Sequence, residues 1–282
     1  MNEIVKTLNN RDYATLIWVS ILIPVLLSQK TIRTAFITVI ERFFVRPIIS
    51  AAIFISFYIV AIVFFSSKYS IITIEQFKVV FVWAICAIFN ALFNSVKASE
   101  DMYYFKQAFW GQLKIVIVLE FFINLYVFSL PIEFVLLPVI TFLVTLSVVS
   151  GSNSKYSPVD KVLKWILAII GFSLLFYTIY SIYIDFDAFL TLNNLRNFII
   201  PPVYSILLLP VIYIMALSVC YESLFIRIPF FVKDPELRFY LKFKVIEKFH
   251  FRLGSLKEWS KYFYSVHIKD KADLIRALKR EV

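Results

Sequence analysis

Apolar segments of about membrane-spanning length alternate with short polar connectors along most of this chain. About twenty apolar residues in a helix cross the roughly 30 Å hydrocarbon core of a bilayer. We predict seven transmembrane helices, with six as the rival count because the first and fifth segments are short. The seven segments are Tyr13–Ser28, Pro47–Ser66, Phe77–Val96, Lys114–Leu130, Phe134–Ser150, Trp165–Ile184 and Ile199–Val219.

Two connectors carry apolar residues at intervals of three and four, which is typical of amphipathic helices lying at a membrane surface. In Thr31–Phe44, the apolar side faces away from Arg33 and Arg42. In Ala98–Trp110, Glu100 and Lys106 lie opposite the apolar side. We predict interfacial helices in both. They either brace the bundle or transmit movement from the tail.

Residues 221–282 form a polar tail after the last span, so we divide the chain into a transmembrane domain, 1–220, and a tail domain, 221–282. Asp234-Pro235-Glu236 is a typical helix start. Strict alternation from Leu237 to Val245 also fits a strand, but the cap favours a helix. Ser255 and Glu258 have the spacing of a capping box, and Asp270 is a further cap candidate. The predicted fold is therefore an all-α polytopic membrane protein with a small, mostly helical tail.

Composition agrees with a membrane location, and charge predicts the orientation. Hydrophobic residues make up 61% of the chain, against about half in soluble domains. With the N-terminus outside, the predicted inner segments hold 24 of the 29 lysines and arginines and the outer segments hold five. Positive residues accumulate on the cytoplasmic side. We therefore predict a multi-pass protein of the cell inner membrane, with a cytoplasmic C-terminus.

Polar residues inside the apolar segments are the first candidate site. Such residues are costly in a bilayer and are functional hypotheses by default. Asn90 and Asn94 follow Cys86 at intervals of four on one face, beside a stripe of small residues that permits close helix packing. Glu120 is the one acidic residue well inside an apolar segment, and Asn124 lies one turn later. Four polar residues are therefore candidates to line a pore: Asn90, Asn94, Glu120 and Asn124. Glu120 would equally serve as a hydrogen-bonded link between helices.

Five cations within fifteen residues of the tail are the second candidate site. They are Arg238, Lys242, Lys244, Lys248 and Arg252. Attraction to anionic lipid explains such a cluster. The alternative is a site for a nucleotide or a nucleic acid, because guanidinium groups pair with phosphate through two hydrogen bonds.

The sequence contains no motif of a known reaction. It lacks a phosphate-binding loop, a nucleophile elbow and paired intramembrane aspartates, and His250 and His267 are isolated. We predict no enzyme activity, no cofactor and no metal. We interpret the chain as a homo-oligomeric channel or pore effector gated through its tail, a type that occurs in bacterial defence. The alternatives are a transporter, an integral membrane transferase and a scaffold.

Overall fold

The computed structural model describes residues 8–112, 114, 126–263 and 276, and the regular structure of these residues is helical throughout. Short 3₁₀ turns, Ile74–Gln76 and Ser154–Tyr156, precede two of the helices. The α-helices are α1 Asn10–Ser28, α2 Lys30–Phe43, α3 Arg46–Lys68, α4 Phe77–Glu100, α5 Tyr104–Gly111, α6 Leu130–Gly151, α7 Ser157–Ile184, α8 Phe186–Phe189, α9 Leu192–Phe231, α10 Pro235–Phe249 and α11 Leu253–Phe263.

Six helices in the described residues are long and apolar enough to cross a membrane: α1, α3, α4, α6, α7 and α9. Six of the predicted spans fall within these helices, which confirms the all-α, membrane-compatible class. The remaining span, Lys114–Leu130, lies largely outside the described residues, so the count of seven stays a prediction. Glu120 and Asn124 also lie outside the described residues.

The helix ends follow from local side-chain chemistry. At α1, the Asn9 side chain accepts a hydrogen bond from the Asp12 backbone N–H, and the Asp12 carboxylate accepts one from the Asn9 N–H. This reciprocal cap satisfies two N–H groups that a helix start leaves without partners. Proline stands in the first turn of α6, α7 and α10, where its missing N–H costs nothing.

The described part of the chain folds into two compact units. The first contains the described residues of Met1–Val45, Val63–Val82 and Leu113–Pro202. Within it, α1 packs against α6, and α6 packs against α7. The indole N–H of Trp18 donates to the Phe134 carbonyl at 2.8 Å, and the two rings stack at 5.0 Å.

The second unit contains the described residues of Arg46–Ile62, Trp83–Gln112 and Val203–Val282. The tail portion of its core is formed by the last turns of α9 together with α10 and α11. Buried apolar side chains come from all three helices and from the residue that follows α9: Leu224, Ile228, Val232, Leu241, Val245, Phe249, Leu253, Leu256, Trp259 and Phe263. The helix predicted over the alternating stretch from Leu237 to Val245 is confirmed.

Several predicted boundaries are wrong. Pro131, Ile132 and Glu133, expected to connect two spans, lie inside α6, because proline is accommodated in a first helical turn. The predicted interfacial helix Ala98–Trp110 is divided: α4 continues to Glu100, and α5 begins at Tyr104. Ser255 does not cap α11, which begins at Leu253.

The predicted domain boundary at residue 220 falls within the continuous helix α9, and the division into two domains stays a prediction.

Candidate functional site

The face of α4 that carries Asn90 and Asn94 lies beside the packed side of the helix. The stripe of small residues Ala87, Ala91 and Ser95 is buried, as close helix packing predicts. Next to this stripe, Asn90 is exposed and Asn94 is half-buried. The Asn94 amide donates a hydrogen bond to the Asn90 side-chain oxygen. The two amides therefore form a short polar strip in the predominantly apolar part of the helix.

Lys257 of α11 binds the C-terminal end of α4. Its ammonium donates to the Ala98 carbonyl at 2.5 Å and to the Asp101 carbonyl at 3.0 Å. The last carbonyls of a helix lack intrahelical partners and carry partial negative charge, so a cation is favourable there. Lys257 is only 5% exposed, and this burial lowers its pKa because it disfavours the charged form.

Two tyrosines of α9 form hydrogen bonds with the backbone of the turn between α10 and α11. The Tyr213 hydroxyl donates to the Phe251 carbonyl and accepts from the Leu253 N–H at 3.1 Å. The Tyr221 hydroxyl donates to the His250 carbonyl at 2.8 Å. His250 has a φ of 44°, a conformation that residues other than glycine seldom adopt. The tyrosines thus satisfy the backbone groups of a sharply bent turn.

Arg238, predicted as an anion-binding residue, contacts the end of α9. Its guanidinium donates to the Val232 carbonyl at 2.7 Å and to the Lys233 carbonyl at 2.9 Å. These are the same kind of contacts that Lys257 makes at α4. An anion at Arg238 would share the guanidinium with these carbonyls.

The other predicted cations lie on both flanks of the buried stripe of α10. Lys242 is half-buried with its amine 5.5 Å from the centre of the Phe225 ring. Lys244 pairs with Glu247 at 2.7 Å, and that hydrogen bond raises the lysine pKa. Lys248 and Arg252 are exposed. The helical spacing places Lys242 and Lys244 on opposite flanks, so the five cations do not form one patch. Their role in anion binding stays a prediction.

A buried ion pair joins α1 to α6 within the first unit. Both oxygens of the Glu133 carboxylate accept hydrogen bonds from the Arg11 guanidinium, each at 3.0 Å. The Phe128 N–H also donates to Glu133 at 3.1 Å, and Glu133 is 1% exposed. Nearby along the same helix, Asp12 pairs with Lys78 at 2.5 Å.

Lys257 and Glu133 were not among the predicted site residues. For Lys257 a signal exists in the sequence, because it follows Leu253 by four residues and therefore shares the apolar face of α11. For Glu133 the signal was its position in the first turn of an apolar helix that begins with proline. Neither pattern identifies the partner, which comes from a distant part of the chain.

Among the described residues, no group of three or more histidine, cysteine, aspartate or glutamate side chains is placed to hold a metal ion. Comparison with models of protein families, with curated proteins and with solved structures finds no match.

Proposed function

We propose that this chain is a multi-pass membrane protein that assembles into a homo-oligomeric channel and is gated through its basic cytoplasmic tail. Six membrane-length helices in the described residues support the membrane location. The strip of exposed Asn90 and half-buried Asn94 supports a polar pathway, because amide side chains facing lipid are costly and suit a water-filled lining or a subunit interface. The proposal includes no catalytic reaction.

The observation that carries the gating proposal is the attachment of the tail to the polar helix itself. Lys257 binds the carbonyl of Ala98, one helical turn beyond Asn94. A movement of α11 therefore acts directly on the end of α4. Because a helix transmits displacement along its axis, the Asn90–Asn94 strip would move with the tail.

Same-side contacts support the proposed topology. Four contacts join residues predicted at the outer ends of spans: Arg11 with Glu133, Asp12 with Lys78, Gln76 with Asn193, and Arg196 with the Ser70 carbonyl. Two contacts join residues predicted on the inner side: Ser147 with Asp160, and Lys257 with Asp101. These pairs favour the predicted alternation of sides. Cytoplasmic placement of the tail rests on the lysine and arginine distribution.

Ion flux from liposomes containing the purified full-length protein tests the proposal. The double change Asn90→Leu and Asn94→Leu should abolish most of the flux, since it replaces the polar strip with apolar side chains of similar size. Thr141→Val is the matched control, because it also makes an exposed polar position of an apolar helix apolar. Equal flux from the double variant and the control would contradict the pore assignment.

A second pair of variants tests the gate. Lys257→Met should raise the resting flux, because it releases the end of α4 from the tail. Lys261→Met, one turn later on the exposed side of the same helix, should leave the flux unchanged. If both variants behave like the wild type in a protein that conducts ions, the tail does not gate through Lys257.

A further inference from the structure

An apolar groove of about 700 Å³ lies between α9 and α10. This volume is within the range of about 300–1,000 Å³ typical of ligand sites. Its apolar lining comes from Leu217, Phe225, Ile226, Ile246 and Phe251. Lys242, Glu222 and His250 are the titratable groups that face it, besides the Tyr221 hydroxyl.

The groove begins where the last predicted span ends. The lining residues of α9 start at Leu217, beside the predicted inner boundary at Val219. The turn between α10 and α11 lies beside a deeper part of this span, because the Tyr213 hydroxyl, six residues before Val219, donates to the Phe251 carbonyl. Phe251 is nevertheless 72% exposed. An exposed phenylalanine at the depth of a membrane boundary is well placed to contact acyl chains.

The outward face of α10 extends this apolar surface. Phe239, Phe243 and Ile246 are exposed large apolar residues spaced along one side of the helix. Contiguous exposed apolar surface marks contact with a membrane, a ligand or another protein. Ile246 belongs to both this face and the groove, so the two surfaces are continuous.

Charge favours an anion at the rim. Lys242 lies over the Phe225 ring and makes no ion pair with any described residue. Glu222 is the opposing acid of the lining. Across residues 222–263 there are nine lysines and arginines and five aspartates and glutamates. The surrounding potential is therefore positive despite Glu222.

We propose that this groove binds an anionic phospholipid of the inner leaflet. An acyl chain lies on the apolar floor, and the lipid phosphate meets Lys242 at the rim. A soluble nucleotide fits the floor less well, since its base and sugar need hydrogen-bond partners and the Tyr221 hydroxyl already donates to His250. The proposal requires a bilayer around the protein and does not require that the protein conducts ions.

Spin-labelled lipids report this binding directly. The full-length protein is reconstituted into phosphatidylcholine bilayers with chain-labelled phosphatidylglycerol, phosphatidylethanolamine or phosphatidylcholine, and the motionally restricted fraction is measured. We expect selectivity for phosphatidylglycerol. Lys242→Gln should reduce that selectivity by about tenfold, because a charge-assisted hydrogen bond to the lipid phosphate is lost.

Two matched controls separate a site from general surface attraction. Lys248→Gln removes the same charge from the opposite flank of α10 and should leave the selectivity near the wild-type value. Ile246→Trp, which fills the groove, should displace restricted lipid, whereas Phe239→Trp outside the groove should not. Equal losses with Lys242→Gln and Lys248→Gln would reduce the site to surface electrostatics. Preference for phosphatidylethanolamine would overturn the anionic assignment in favour of a zwitterionic occupant.

Discussion

Lys257 shows how one side chain can join two segments that the sequence separates by more than 150 residues. A buried ammonium is unfavourable unless its donors find partners. Here the partners are carbonyl oxygens of Ala98 and Asp101, which themselves lack helical partners at the end of α4. The ammonium and the two carbonyls therefore satisfy each other's hydrogen-bonding groups. Loss of the lysine removes this partner from both carbonyls.

Lys257→Met should therefore destabilise the protein. An unsatisfied buried polar group costs about 1–3 kcal/mol, while methionine retains most of the packing volume. We expect a lower melting temperature for purified Lys257→Met in detergent, monitored by tryptophan fluorescence. Lys261→Met is the control and should melt with the wild type. A melting temperature of Lys257→Met equal to that of the control would show that the carbonyls find other partners.

The same lysine predicts a dependence of stability on pH. Burial holds its folded-state pKa below the ordinary value of 10.5. Between the two pKa values the unfolded chain binds more protons, so the free energy of unfolding rises with pH. The contribution is fully present above 10.5 and is lost as the pH falls through the folded pKa. The stability advantage of the wild type over Lys257→Met should grow from pH about 7 to about 10. A constant difference would argue against a lowered pKa.

The pair of Arg11 and Glu133 predicts non-additive variants. Removing one partner of a fully buried ion pair costs about 3–5 kcal/mol, and the cost is smaller here because the remaining Arg11 side chain is 19% exposed. Glu133→Gln should therefore lower the melting temperature clearly. Changing both residues, Arg11→Gln with Glu133→Gln, should be less destabilising than Glu133→Gln alone. Additive losses in the same detergent would mean that the two charges act independently.

At the scale of elements, α10 explains an ambiguity in the sequence. Apolar residues at every second position, from Leu237 to Val245, fit a strand with one buried face. In a helix the same alternation produces two apolar faces. Leu241 and Val245 fill the core of the tail, while Phe239 and Phe243 are exposed. The cap at Asp234 decides between the two, since its side chain accepts from the Glu236 N–H.

This two-faced helix predicts a contrast between neighbouring positions. Leu241→Ala removes a fully buried side chain and should cost about 2–5 kcal/mol. Phe243→Ala changes a side chain that is 60% exposed and should alter stability by less than about 0.5 kcal/mol. Melting temperatures of the two variants in detergent give the comparison. A larger loss from Phe243→Ala would mean that its face is covered within the protein.

The helices were predictable because their signals are local, whereas the site contacts were not. Apolar length identified α3 and α9, and Asp234 identified the start of α10. The periodicity of α4 also predicted which side would be buried. Nothing local indicates that Lys257 meets Ala98 or that Arg11 meets Glu133, because these contacts depend on how distant helices pack. Sequence patterns placed residues on helix faces, and the fold assigned their partners.

At the scale of the whole molecule, α9 connects the membrane-compatible part of the chain to the core of the tail. Forty residues at about 1.5 Å each give a helix near 60 Å long, about twice the hydrocarbon thickness. Its later turns supply Leu224 and Ile228 to the tail core.

The distribution of lysines and arginines assigns the orientation of the chain in the membrane. We expect the connector before α4 to face outward and α11 to face the cytoplasm. In a background with Cys86 and Cys220 replaced by serine, Glu75→Cys and Lys261→Cys place single thiols at exposed positions on the two sides. A membrane-impermeant maleimide applied to intact cells should label Glu75→Cys and should reach Lys261→Cys only after lysis.

The positive-inside bias makes this outcome specific, because reversing the chain would put 24 of 29 basic residues outside. Labelling of Lys261→Cys in intact cells would therefore reverse the topology and, with it, the proposal that the tail receives a cytoplasmic signal.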